Sequence, residues 1–326
     1  FILSPDEFSA LGKLVAAGIG FVANLVLWSE AGYFDAATET KPLLHLWSLG
    51  IEEQFYIIWP LLLIFAWKRK ISLLIVTMIV LFTSFSFNIF NIKTDPIATF
   101  YSPLTRIWEL LFGSVLSWIM VFKKDAFANF NFKINKQLSR YKLFNNAEEK
   151  NIFANILSIL GIVLFIIGFV KITKESFFPG YWALVPVLGT VVIIMAGPEA
   201  WINKKILSNK FAVWFGLISF PLYLWHWPIL SYGRIYYDKV PPDGFRWVAV
   251  LLSILLAWLT VKYIEKPFRY SKRRTQTKVI FLSCTALLIG MLGLIAYKTN
   301  FTESKIFNDL KITRKGFEHA YGPSLN

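Results

Sequence analysis

Nine long apolar segments recur along this 326-residue chain, and they restrict its fold more than any other feature of the sequence. Each is close to the ~20 mostly apolar residues that a helix needs to cross the hydrocarbon core of a bilayer. Backbone polar groups in lipid must be satisfied within their own element, so such segments form helices. The sequence therefore predicts an all-α, polytopic bundle of about nine transmembrane spans, at residues 10–28, 49–67, 71–90, 102–122, 153–170, 181–197, 211–230, 245–264 and 278–297.

Lys and Arg are distributed unequally among the predicted loops. The loops on the face where the chain begins hold 19 of them, and the loops on the opposite face hold 6. The positive-inside rule places the first face in the cytoplasm. The net charge of +14 therefore reflects topology, and nucleic acid is not expected as a partner. The basic loop 123–150 is the one sizeable insertion, and part of it is predicted to form an interfacial helix.

A first group of polar residues stands at the predicted outer entrance to the second span, in KPLLHLWSLGIEEQFYIIWP (41–60). His45 and Glu52 share a face if the helix extends back that far. The adjacent Glu52 and Glu53 repel each other unless one is protonated or paired, which suits acid/base chemistry. An alternative is that both glutamates cap the start of the helix, where the macrodipole favours negative charge.

A second group contains Arg106 and Glu109, three residues apart in SPLTRIWELLFG (102–113). This spacing puts both side chains on one helical face. Arg106 is expected to pair with Glu109 or with a carboxylate of the second span, or to hold an anionic or carbonyl oxygen. The alternative is a purely structural ion pair.

A third group surrounds His226, between Trp225 and Trp227 in ISFPLYLWHWPIL (218–230). Pro221 and Pro228 each leave a backbone carbonyl without its helical donor, which predicts a bent helix. His226 is a candidate base or hydrogen-bond donor. The alternative is an anchoring histidine at a Trp-rich membrane interface.

A fourth group lies at the predicted cytoplasmic end of the eighth span, in YIEKPFRYSKRR (263–274), where Pro267 is predicted to end the helix. The cationic side chains here could bind the phosphates of a cytoplasmic donor. They could equally be the positive-inside signal itself. The residues are Lys266, Arg269, Lys272, Arg273 and Arg274.

Together these stretches resemble the membrane-bound acyltransferase family 3, which contains lipopolysaccharide, peptidoglycan and exopolysaccharide O-acetyltransferases. The resemblance extends over residues 4–270 and keeps the order of the family motifs. The matching segments are AGYFDAATETKPLLHLWSLGIEEQFYIIWPLLL (31–63), SPLTRIWELLFGSVL (102–116), ISFPLYLWHWPIL (218–230) and YIEKPFR (263–269).

The resemblance implies an enzyme that transfers an acyl group, expected to be acetyl, from cytoplasmic acetyl-CoA to a hydroxyl of an extracytoplasmic glycan. It implies a multi-pass protein of the bacterial cytoplasmic (inner) membrane, with the glycan, acyl-CoA and the lipid bilayer as partners. On this basis the expected catalytic residues are Glu52, Glu53, Arg106, Glu109 and His226, and the expected substrate-binding residues are His45, Trp47, Tyr56, Trp225 and Trp227. The expected donor-binding residues are Lys266, Arg269 and Arg273. No metal is expected, because the three histidines lack ligand spacing.

The family pattern also suggests a domain organisation. Residues 1–270 correspond to the acyltransferase membrane domain without its first two spans, one of which carries a basic residue and a catalytic histidine, so this segment alone is expected to be inactive. Residues 271–326 resemble an additional span and an extracytoplasmic tail that tether a soluble esterase-like domain. Two alternatives remain open from the sequence: a transporter without covalent chemistry, and an assembly subunit that docks a cytoplasmic partner through loop 123–150.

Overall fold

The computed structural model describes residues 3–31, 39–140, 151–173, 175–270 and 275–299. These described residues contain thirteen α-helices and no β-strand. The predicted all-α, multi-pass class is confirmed. The helices are α1 (Pro5–Ile19), α2 (Ala23–Glu30), α3 (Leu46–Lys68), α4 (Leu73–Asn91), α5 (Pro96–Tyr101), α6 (Ile107–Phe122), α7 (Lys124–Leu138), α8 (Ile152–Lys171), α9 (Leu184–Ala196), α10 (Lys210–Tyr237), α11 (Asp243–Thr260), α12 (Lys266–Tyr270) and α13 (Thr275–Lys298).

Six helical segments of the described chain are long and apolar enough to cross a membrane: α3, α4, α8, α10, α13 and the continuous stretch Asp243–Tyr270. Two further predicted spans appear as shorter apolar helices, Ile107–Phe122 and Tyr181–Ala196. The first predicted span is interrupted, because the chain leaves α1 at Gly20 and Phe21 adopts a φ of 57°, which a right-handed helix cannot contain. The predicted segment 10–28 is therefore two helices rather than one.

The chain divides into two compact units: a terminal unit (Phe1–Gly50 with Leu217–Asn326) and a central unit (Ile51–Gly216). In the terminal unit, α1 begins with a capping box in which Ser4 and Glu7 satisfy each other's backbone amides. Helices α1 and α13 pack closely through glycines. An added Cβ on Gly12 would lie 2.7 Å from the carbonyl oxygen of Gly293, so both positions need the absence of a side chain.

Trp108 organises the interior of the central unit. Its side chain is fully buried, and it packs with Phe55, Leu81 and Leu111. The indole Nε1 donates to the Thr105 carbonyl at 3.0 Å, which satisfies its polar atom inside the core. This tryptophan therefore fixes the start of α6, the helix that carries Glu109.

Pro267 has less effect on its helix than the sequence predicted. It does not end the eighth span, because the helix continues through the π-turn Val261–Glu265 into α12, which contains Pro267. Helix α10 extends through Pro221 and Pro228 to Tyr237, and the bend predicted at these prolines stays a prediction. The predicted helix in loop 123–150 is present as α7, while residues 141–150 lie outside the described chain.

Candidate functional site

Three side chains of the terminal unit form a cluster of rings, which we call the histidine cluster: His45, Tyr223 and His226. Tyr223 and His226 are three residues apart on α10, so they lie on the same face. His45 is the last residue before α3. The ring centroids of His45 and His226 are 6.0 Å apart, and the Tyr223 ring lies 5.2 Å from His45 and 5.5 Å from His226. The structure thus brings together two histidines that are far apart in sequence.

His45 is buried, with 5% of its surface exposed, and neither ring nitrogen makes a hydrogen bond of normal geometry with the residues that the structure describes. Pro228 deprives the Leu224 carbonyl of its helical donor. Burial, and to a smaller extent the charge of His226, lower the pKa of His45 to about 4. The nearby Leu224 carbonyl raises this pKa, but by less than the other two causes lower it. His45 is therefore neutral at pH 7, with nitrogens available to another group.

Tyr223 and Ser48 support this cluster, and sequence reasoning missed both. The Tyr223 hydroxyl donates to the His45 carbonyl, and it lies 2.6 Å from the Ser48 Oγ. Their spacing from the histidines could have indicated both residues. Tyr223 lies three residues before His226, and Ser48 lies three residues after His45, which is the spacing of neighbours on one helical face.

His226 is half-buried, and its Nδ1 lies 3.2 Å from the Leu222 carbonyl oxygen. A carbonyl can only accept, so this contact places the proton of a neutral imidazole on Nδ1 and leaves the Nε2 lone pair as the basic site. In that tautomer, Nε2 can accept a proton, and both the catalytic and the anchoring interpretation of His226 stay predictions.

The predicted tryptophans of this unit have separate partners. The indole of Trp227 donates to the Lys41 carbonyl at 2.9 Å, and that of Trp225 donates to the Thr260 hydroxyl at 3.0 Å. Trp47 lies half-buried in the first turn of α3. The Trp227 contact holds the segment before His45 against α10, whereas Trp225 links α10 with α11.

A charged trio adjoins that segment and was not predicted. The Glu30 carboxylate accepts from the Lys13 ammonium at 2.7 Å and from the Lys41 ammonium at 2.9 Å. Burial raises the pKa of Glu30, but the two lysines outweigh burial and hold that pKa below its ordinary value. Glu30 is therefore ionised at neutral pH and connects α1, α2 and the segment before His45.

In the central unit, the predicted pairing of Arg106 with Glu109 is confirmed. The Arg106 Nε lies 3.2 Å from a Glu109 carboxylate oxygen, and their side chains are only 10% and 20% exposed. The guanidinium also lies over the rings of Phe100 and Phe178, with centroid distances of 5.6 and 5.4 Å. Aromatic faces and one carboxylate thus stabilise a buried cation.

Glu52 and Glu53 are half-buried on α3, and Tyr56, one turn further along, is exposed. Because α3 begins at Leu46, no acidic residue lies in its first turn. The alternative that these glutamates cap the helix start is therefore wrong, since the macrodipole acts within about one turn of the terminus. Glu52 and Glu53 therefore lie along the length of the apolar helix α3, more than one turn from its first residue.

The predicted donor-binding residues are only partly described. Lys266 and Arg269 are exposed on α12, and the Arg269 guanidinium pairs with Glu265 at 3.1 Å. Arg273 lies outside the described residues. In the residues that the structure covers, no group of three metal-ligating side chains comes together.

Six apolar helical segments long enough to cross a membrane, with polar side chains buried or half-buried in them and beside them, define a multi-pass membrane protein. The acyltransferase family 3 profile, described as an acyltransferase domain, matches residues 8–262, and the chain belongs to that family, as its motifs predicted.

Curated relatives agree with this assignment. The chain is 31% identical over 272 residues to the peptidoglycan O-acetyltransferase OatA of Listeria monocytogenes, an alignment that covers 81% of the chain and 41% of that protein. It is 29% identical over 279 residues to a putative O-acetyltransferase of Staphylococcus aureus, covering 82% and 43%, and 27% identical over 262 residues to the putative peptidoglycan O-acetyltransferase YrhL of Bacillus subtilis, covering 78% and 39%. The chain thus spans about two fifths of the length of these relatives. No solved structure matches it.

Proposed function

We propose that this protein is an O-acetyltransferase that moves an acetyl group from cytoplasmic acyl-CoA to a hydroxyl of an extracytoplasmic glycan, in the bacterial cytoplasmic membrane. Family membership supports the reaction class, and the names of the relatives favour peptidoglycan as the acceptor over lipopolysaccharide or exopolysaccharide. The charge bias of the loops supports a cytoplasmic donor side.

The observation that carries the proposal is the buried histidine cluster. An acceptor hydroxyl must lose its proton as its oxygen attacks the thioester carbonyl, while the carbon–sulfur bond breaks and CoA leaves as a thiolate. His226, with its Nε2 lone pair free to accept, takes that proton. His45 binds the acceptor through ring nitrogens that make no hydrogen bond of normal geometry within the described residues, and Trp47, Trp225 and Trp227 contribute apolar faces for a sugar.

Residues of the central unit have a second role in this proposal. Arg106 holds an anionic or carbonyl oxygen within the central unit, and Glu109 compensates the guanidinium at rest. Glu52 and Glu53 serve as an acid/base pair within the central unit, and Tyr56 contacts substrate from the exposed side of α3. Lys266, Arg269 and Arg273 bind the phosphates of the acyl-CoA.

The test is mass spectrometry of surface glycan from cells with and without the intact gene. We expect O-acetyl groups that disappear on deletion, return with the wild-type gene, and do not return with His226→Gln. Unchanged glycan acetylation in the deletion strain, together with passage of an unmodified solute through the purified protein in vesicles, would replace this proposal with a transporter.

A further inference from the structure

Two hydroxyl groups converge on the main chain of His45. A carbonyl oxygen can only accept, so the Tyr223 O–H donates to it and the Ser48 hydroxyl is left to donate to the Tyr223 oxygen. Ser48 Oγ also lies 3.4 Å from the same carbonyl oxygen. These contacts tie the residue before α3 to the middle of α10 through one tyrosine.

The Tyr223 ring acts on the side chains as well. It packs edge-on against His45, with an interplanar angle of 69°, and lies tilted by 43° against His226. Because the tyrosine contacts both imidazoles, neither ring can rotate far without displacing it. A single residue thus restrains the backbone of one histidine and the ring directions of both.

His45 needs such restraint if it is to bind a ligand. A buried imidazole whose nitrogens make no well-formed hydrogen bond within the described residues is unfavourable in itself, and a mobile side chain would turn toward any nearby donor or acceptor. Held in place, those nitrogens can donate to or accept from an incoming hydroxyl with little further ordering.

We propose that Tyr223 is the positioning residue of the histidine cluster: its hydroxyl fixes the His45 backbone, its ring fixes both imidazoles, and together they hold His45 ready for the acceptor hydroxyl. This rests on the proposed acetyl transfer for its catalytic meaning. The restraint of His45 is a physical claim that stands apart from it.

The first experiment measures that restraint without any activity. Wild-type protein in lipid nanodiscs is treated with diethyl pyrocarbonate, which modifies neutral imidazoles, and modification of His45 is quantified by mass spectrometry. We expect slow modification in the wild type and in Tyr232→Phe, a matched control on the same helix, and acceleration of about tenfold in Tyr223→Phe. Equal rates in Tyr223→Phe and the control would overturn the proposal, whether or not the protein transfers acetyl groups.

The second experiment asks whether the restraint serves catalysis, through a double-mutant cycle in the native protein. We expect Tyr223→Phe to lower kcat about tenfold while KM for the glycan changes less than about twofold, and to have no further effect in a His45→Gln background. Ser48→Thr, which keeps a hydroxyl, should retain more activity than Ser48→Ala. Additive effects of Tyr223→Phe and His45→Gln would contradict positioning through His45.

A wild type with no glycan acetylation would instead contradict the proposed function. The rates of diethyl pyrocarbonate modification would then still test whether Tyr223 restrains His45.

Discussion

The histidine cluster of the terminal unit and the Arg106–Glu109 pair of the central unit are both buried polar features, but they differ in what satisfies them. The charge of Arg106 is compensated by Glu109 and by two aromatic faces from its own unit. His45 is also buried, and among the described residues its ring nitrogens pair with no carboxylate. Breaking a compensated buried pair is costly because one charge is left buried and alone, whereas a buried group without a hydrogen-bond partner is a candidate for binding something else.

The contrast predicts that variants in the two units fail differently. Loss of a histidine should affect acetyl transfer more than stability. Loss of one member of the ion pair should affect stability directly, because the other charge is left buried and alone.

The largest expected effect is on acetyl transfer. His226→Gln should lower glycan acetylation by about 10²- to 10⁴-fold, the usual contribution of a general base, and His45→Gln should lower it less. Melting temperature in detergent should stay close to that of the wild type for both. His319→Gln, which changes the remaining histidine of the chain, is the control. Full activity in His226→Gln would remove this residue from the mechanism.

Next in size is the cost of breaking the ion pair. Arg106→Ala should destabilise the protein by about 3–5 kcal/mol, because Glu109 would remain buried without its cation. The measurement is thermal unfolding in detergent. Arg106→Met combined with Glu109→Leu should recover most of the stability but not the acetyl transfer. Recovery of both would show that the pair is structural and has no part in the reaction.

A smaller effect is expected where the last span packs against the first helix. Gly12→Leu should cost about 1–3 kcal/mol, since the new side chain would overlap the backbone of α13. Gly113→Leu is the control, because an added Cβ there meets nothing within 4 Å. Equal unfolding temperatures for the two variants would show that α13 does not pack on α1 and would separate it from the terminal unit.

The smallest effect is a pH dependence. The pKa of His45 is about 6.5 in the unfolded chain and about 4 in the folded protein. Between pH 6.5 and 4 the unfolded state therefore binds a proton that the folded state does not bind. The free energy of unfolding consequently falls as the pH decreases through this range. The melting temperature of the wild type should therefore fall by a few degrees relative to that of His45→Gln as the pH decreases from 6.5 to 4. A constant difference across this window would mean that the imidazole of His45 is not shielded as described.

Sequence reasoning predicted the features that depend on local composition and spacing. The apolar segments gave the helices, and the three-residue spacing gave the Arg106–Glu109 contact. It missed the break at Phe21, because a positive φ at a non-glycine residue has no compositional signal.

The histidine cluster could not be predicted from spacing, because His45 and His226 belong to elements separated by most of the chain. Tertiary packing alone brings their rings together. The resemblance to the acyltransferase family marked both residues as important, but it did not reveal that they contact each other or that Tyr223 lies against both.

The central claim is that acetyl groups enter from the cytoplasmic donor and leave on an outer glycan through this membrane protein. The most direct measurement supplies acetyl-CoA labelled in its acetyl group to one face of oriented vesicles that contain the native protein, with glycan acceptor on the other face. We predict labelled O-acetyl esters on the acceptor only when the donor is on the cytoplasmic face, and none with His226→Gln. Label transfer that is independent of donor side, or equal in the variant, would contradict this account.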